Sequence, residues 1–210
     1  SVPSRACCNR SSGASASTLS PSGATHGAFG WCRNRAHSST PLPGSAVTRI
    51  SLVPDGALLL ADDAVHLEVG VGAGARVEII ETGGTVAYDM RGGTASWTVD
   101  IEVEDGGALT WAGRQFVAAA GSHTVRSTRV RLGPSARFAL RETLVLGRHG
   151  EPEGGEVSTT LDVAIADVPL LVDDLVLTGE PLARLALGGR RVVGSVLTAG
   201  ARLPAEIGAT

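Results

Sequence analysis

Apolar and polar side chains alternate along most of the chain from residue 46 onward. In TASWTVDIEVEDGGALTW, Trp97, Val99, Ile101 and Val103 alternate with Thr98, Asp100, Glu102 and Glu104, the period of two expected of a half-buried strand. The turn EDGG then leads through Ala108 into a second strand. The same order of strand, Gly-, Pro- or Asp-rich turn, Ala and strand recurs in VTRISLVPDGALLL through Ala57, HLEVGVGAGARVEII through Ala75, STRVRLGPSARFALRE through Ala136 and VVGSVLTAGARLP through Ala201. Turn residues of this kind supply the dihedrals of a tight reversal, so each unit predicts a hairpin, and a small Ala after the turn lets neighbouring units approach closely. One isolated hairpin is marginal. The units must therefore stack, with each buried Val, Leu or Ile contributing about 1.5–3 kcal/mol. Their irregular spacing argues against a solenoid of fixed period. The expected fold is mainly β, with stacked antiparallel hairpins in a multi-stranded sheet scaffold and little helix.

Residues 1–45 show neither a strand nor a helix period. They are dominated by Ser, Gly, Ala, Pro and Arg, which cannot bury enough apolar area to offset the entropy of ordering. This segment is expected to be disordered, followed by one β domain over 46–210. Cys7, Cys8 and Cys32 all lie in the first segment, odd in number and without CxxC spacing, so a disulfide framework is not expected. His26 and His37 could join them around a soft metal, but flexible thiols are the commoner outcome.

Composition narrows the class of partner. With 210 residues and 43% hydrophobic content the chain is long enough for a sizeable core, and its apolar runs are too short to span a bilayer as a helix. No apolar leader opens it, so the expected address is cytoplasmic, with no membrane partner. Every one of the 18 basic residues is Arg. From Asp55 onward, 13 Arg face 21 acidic residues, a net charge of −8 that argues against nucleic acid and for proteins or cations as partners.

The most informative strand is RFALRETLVLGR, residues 137–148. Alternation puts Phe138, Leu140, Leu144 and Leu146 on one face, with Glu142 among them. A carboxylate in such surroundings must be paired, neutralised or exposed to a water-filled passage. A bulge that turns Glu142 outward, or an ion pair with an internal Arg, is the structural alternative.

RETLVLGRHGEPEGGEV, continuing from that strand, resembles the signature of the urease accessory protein UreD (UreH) family, in which an acid-containing strand leads into a Leu-Gly-Arg turn and a Gly-Glu hairpin. LLLADDAVHLEVGVGAGARVEI, GGTVAYDM and VPLLVDDLVLTGE are similar to three further elements of that family, in the same order, so the resemblance runs over roughly residues 46–200. It implies roles for Asp63, Tyr88, Glu142 with Gly147 and Arg148, and Asp173 as partner-contact or nickel-passage residues, with Glu142 and Asp63 as oxygen donors to metal. Three positions depart from the pattern, where Ala61 and Asp62 replace glycines and Asp174 replaces a usual basic residue.

The resemblance implies a non-enzymatic scaffold that binds apo-urease (the urease structural subunits) together with UreF and the GTPase UreG, and that helps deliver nickel to the urease active site. Transient Ni²⁺ and no tightly bound cofactor are expected. Asp62, Asp63 and Glu142 would hold a borderline cation weakly enough to release it. Two other classes remain open: a β-rich hydrolase working through carboxylates such as Glu142 and Asp63, which needs the two about 5–10 Å apart in a cleft, and a purely structural interaction module. His149 with Glu151, Glu153 and Glu156 lies in a Gly-rich hairpin that more often is a solvated loop, and His66 and His123 lack metal-ligand spacing. Asp173 and Asp174 point to opposite faces of one strand. No nucleophile elbow, P-loop or dinucleotide motif is present, since GVGAGA lies between two strands rather than opening a helix.

Overall fold

A computed structural model describes residues 47–53, 59–151, 153–177 and 187–201. The segment 1–45, the cysteines and the turn through Ala57 lie outside the described residues. Among the described residues eleven strands are formed: β1 (Val47–Leu52), β2 (Ala64–Val71), β3 (Arg76–Glu81), β4 (Thr85–Ala87), β5 (Ala95–Val103), β6 (Ala108–Ala118), β7 (His123–Leu132), β8 (Arg137–Leu146), β9 (Glu156–Ile165), β10 (Val168–Leu177) and β11 (Val192–Ala199). The alternation read from sequence is kept almost throughout. In β5, Trp97, Val99, Ile101 and Val103 are buried while the residues between them face outward.

The pairing differs from the expected hairpins. One sheet has the order β1-β3-β6-β8-β11 with β4 also on β6, and the other has the order β10-β9-β7-β5-β2. The strands on either side of the turns at 72–75, 104–107 and 133–136 belong to opposite sheets. Each unit is therefore an arch, and each strand pairs in parallel with the equivalent strand of the next arch: β3 with β6, β6 with β8, β2 with β5, β5 with β7 and β7 with β9. The result is a solenoid-like stack of two mixed sheets. Antiparallel pairing occurs in the β9–β10 hairpin, turned by Ala166 and Asp167 at positive φ, and between β8 and β11.

The turns make this stacking possible. Arg76, Ala108 and Arg137 stand in register, so Ala75, Gly107 and Ala136 precede three aligned strand starts. The Ala108 amide donates to the Ala75 carbonyl at 2.8 Å, and the Arg137 amide to the Gly107 carbonyl at 2.9 Å. A Cβ on Gly107 would lie 3.1 Å from the Gly72 carbonyl oxygen and 2.9 Å from that of Glu104, so only glycine admits the contact. Acidic turn residues stitch successive arches: Asp105 accepts from the Ser135 amide and hydroxyl, and Glu104 from the Ala73 amide. The Ser135 hydroxyl and amide hold the Asp105 carboxyl below its ordinary range. The unequal spacing of the units does not prevent stacking, because the extra residues fall in the connections at the opposite end, 82–94, 119–122 and 147–155.

The core lies between the sheets. Leu67, Val130 and Val163 from one and Ile79, Leu109 and Phe138 from the other are at most 1% exposed. At the β10 and β11 edges apolar side chains reach solvent instead, including Val172 at 73% and Val176 at 63% exposure. Among the described residues no helix is long and apolar enough to cross a membrane.

Candidate functional site

Charged groups enter the core at one level of the stack. In β3, Val77 and Ile79 face inward, and alternation carries Glu81 to the same side. In β7 the same rule places Arg126 in line with Thr124, Thr128, Val130 and Leu132, all buried. Glu142 faces them from β8. Its Oε1 accepts from Arg126 Nη2 at 2.8 Å, with the two side chains 11% and 19% exposed, and the guanidinium carbon lies 4.8 Å from the centroid of the Phe116 ring. The core-facing carboxylate is thus inward and paired.

A defect in the sheet makes room for these groups. β6 and β8 lose register between Ala112 and Gln115, so that Gly113 and Arg114 oppose the single residue Glu142, a β-bulge. The neighbouring ladder breaks at the same level, since β3 pairs with β6 up to Ala112 and β4 resumes at Phe116. The Arg114 amide freed by the bulge donates to Glu81 Oε2 at 2.7 Å, and Trp111 Nε1 donates to Glu81 Oε1 at 2.8 Å. Burial nevertheless pushes the Glu81 carboxyl above its ordinary value, with those two hydrogen bonds and the Arg126 charge opposing the rise and Glu142 adding to it. A cavity of about 40 Å³, room for a water or two, is bounded by Glu81, Trp111, Phe116, Arg126, Thr128 and Glu142 and reaches the exposed Arg114 and Arg141 at the bulge.

The bulge depends on Gly113, where an added Cβ would lie 2.6 Å from the Arg141 carbonyl oxygen. Gly113→Ala is expected to destabilise the protein by about 1–3 kcal/mol through forced backbone movement, read as a shifted urea midpoint with an unchanged slope.

The residues singled out from sequence are not all brought together. Glu142 lines the chamber. Asp63, 5% exposed, does not line it; its Oδ2 accepts from the Leu60 amide at 2.8 Å in the turn before β2, beside the exposed Asp62 at φ 67°. Tyr88 and Arg148 meet each other, with the guanidinium 6.0 Å from the ring centroid. Asp173 is exposed on β10, in register with Leu161, which in turn aligns with Thr128. It shares the inner face with Leu171 and Leu175, whereas Asp174 faces outward. Glu151 is an organiser of its loop rather than part of a cation site: it accepts from the amides of Arg148 and Ala120 and pairs with the Arg148 side chain at 2.7 Å. Among the described residues no group of three His, Cys, Asp or Glu side chains could hold a metal. Sequence reasoning missed Glu81 and Arg126, although the alternation that revealed Glu142 applies equally to both.

The Arg148 amide, the largest influence, holds the Glu151 carboxyl below its ordinary value of 4.5. A depressed acid stabilises the fold above its unfolded pKa and loses that contribution as pH falls through the folded one. Acidification below about 4.5 is therefore expected to loosen the 147–151 loop. Amide exchange of Arg148 and Ala120 should rise there, and Glu151→Gln should remove this acid dependence.

Two sheets stacked in parallel arches around a charged chamber define a solenoid-like β protein. Comparison with known families gives it a more particular place: the family described as UreD urease accessory protein matches residues 35–209. "Urease accessory protein UreD 1" of Streptomyces griseus is 46% identical over 165 residues, 78% of this chain and 64% of that protein. "Urease accessory protein UreD" of Frankia alni is 39% identical over 75% of this chain and 58% of its own length, and "Urease accessory protein UreD 3" of S. griseus is 36% identical over 76% and 65%. The chain belongs to the UreD family of urease accessory proteins, a chaperone-type family of non-enzymes. It spans about three-fifths of the length of these relatives.

Proposed function

We propose that this chain is a scaffold for urease maturation that binds apo-urease with UreF- and UreG-type partners in the cytoplasm and gives Ni²⁺ a protected path toward the urease active site. The observation that carries the reading is the chamber itself, where Glu81 and Glu142 place two carboxylates, with Arg126, between sheets whose facing side chains are mostly apolar. Polar residues stand on the inner faces toward β10 and β11, with the apolar Leu161 between two of them. Ser195 of β11 stands opposite Glu142, and Thr128 leads through the Leu161 position to Asp173 of β10. This row supports a path from the chamber to the open β10–β11 end. Oxygen donors of this kind bind a borderline cation weakly, which suits transfer rather than storage. The apolar side chains exposed on β10 and β11 are of the kind that protein partners bury, which supports a scaffold role.

The test is urease activation in cells that co-express the urease subunits and the other accessory proteins. Glu142→Gln keeps a hydrogen-bond acceptor for Arg126 and removes the charge. Most activation is expected to be lost while the variant remains folded and partner-bound; full activation in a folded variant would sink the nickel path. The ion pair itself favours a second reading, a structural module in which Glu142 only neutralises Arg126. On that reading Glu142→Gln lowers thermal stability and leaves activation per folded molecule unchanged. The hydrolytic alternative has less support, because Asp63 is engaged in a turn and does not line the chamber.

A further inference from the structure

Arg126 sits where a passing cation would need to be. It has one hydrogen bond to Glu142 and one ring beneath it, while its buried Nε has no partner. A guanidinium with five donors is firmly fixed only when its fork is satisfied, so this one is held from one side. Glu81 faces the same chamber with its carboxylate already oriented by Trp111 and Arg114, and its charge interacts with both Arg126 and Glu142. With the guanidinium in place, the two acids and one base leave a net charge of −1. With a divalent cation in its stead, the two carboxylates would be neutralised. Thr128, Thr143 and Gln115 border the same space and supply further oxygens, while Arg114 and Arg141 stand at the outward rim, the latter bonded to the Gly113 carbonyl.

Building on the nickel-path reading, we propose that Arg126 is a displaceable counter-ion: a divalent cation occupies the chamber only by exchanging with the guanidinium on Glu142, so that the chamber holds one or the other. Oxygen-only coordination with retained water fits the donors present. The exchange explains how a charged chamber can sit in an apolar core without cation: the resident Arg offsets one of the two carboxylates, and a divalent cation in its place offsets both. Arg126 is a gating residue, in contact with the acid that would touch the metal.

Equilibrium dialysis of Ni²⁺ alone against the full chain, purified with whatever partners keep it in solution, tests the exchange. Arg126→Met is expected to bind roughly tenfold more tightly than the parent chain or better, the gain from removing a competing positive charge at contact distance. Arg126→Lys, which keeps the charge but loses the fork and the ring contact, should fall between the two. Arg126→Met with Glu142→Gln should show no gain. Should Arg126→Met fold poorly, Ni²⁺ is expected to raise its melting temperature and leave that of the double variant unchanged. Equal Ni²⁺ affinity in the parent chain, Arg126→Lys and Arg126→Met overturns the proposal. The delivery reading fails separately: a gain confined to the Arg126 variants, with urease activation indifferent to Glu142→Gln, keeps the exchange and removes delivery.

Discussion

Arg126→Met is expected to lower the unfolding free energy by about 3–5 kcal/mol, because it strands Glu142 as an uncompensated charge between the sheets. The partner geometry supports an effect of that size: the pair is 2.8 Å apart, and both side chains are mostly shielded from water. Packing alone would predict far less, since methionine fills much of the volume above Phe116 and retains an apolar contact with the ring. Arg126→Met combined with Glu142→Met is expected to recover most of the loss, as apolar replacement of a whole buried pair is often neutral or better. Urea denaturation of the four proteins in the cycle measures the coupling directly. Additive losses in the single variants would mean that the two side chains are independently solvated and that the chamber is wetter than its geometry implies.

Much of this arrangement was legible in the chain. Period-two alternation placed Trp97, Val99, Ile101 and Val103 in the core and Glu142 among the inward side chains of β8. It also identifies Glu81 beyond Val77 and Ile79, and Arg126 between Thr124 and Thr128, because a one-residue step is all that decides which face a strand residue occupies. What alternation does not encode is the partner of each strand. A Gly-rich turn between two strands serves a hairpin or an arch equally well, so the turn residues that predict hairpins here do not separate the two. The decision lies in contacts between turns, such as Gly107 against the Gly72 carbonyl, which join residues far apart in sequence. The irregular unit spacing, which argues against a solenoid of fixed period, reflects connections at the far end that do not disturb the register of Arg76, Ala108 and Arg137.

The chamber was only partly legible for the same reason. Glu142 announced a polar interior, but the bulge at Gly113 and Arg114 exists through Glu81 of β3 and the Arg141 carbonyl of β8, neither adjacent in sequence. Asp63 shows the opposite case. The family resemblance alone makes it a donor candidate, and what the sequence does not show is that one carboxylate oxygen accepts from the Leu60 amide, as short acidic side chains commonly do in turns. Tyr88 and Arg148, separated by 60 residues of sequence, meet because the connections after β4 and β8 fall on the same end of the stack.

A core substitution outside the chamber separates folding from function. Phe138 is 1% exposed, in register with Leu109 on one side and Ala199 on the other, and belongs to the apolar row nearer the arches than Glu142. Phe138→Ala is expected to cost about 3–5 kcal/mol, the transfer free energy of the ring plus the cavity left behind. In a stacked architecture such a loss weakens the contacts of one level with its neighbours, so the transition should broaden as well as move. Glu81, Arg126 and Glu142 keep their partners in the molecules that remain folded. Ni²⁺ affinity per folded molecule is therefore expected to match that of the parent chain, and urease activation should fall only in proportion to the folded fraction. Glu142→Gln has the reverse signature under the nickel path, with a small loss of stability and a large loss of activation. If Phe138→Ala and Glu142→Gln lie on one line when activation is plotted against folded fraction, stability alone accounts for both, and the chamber is structural.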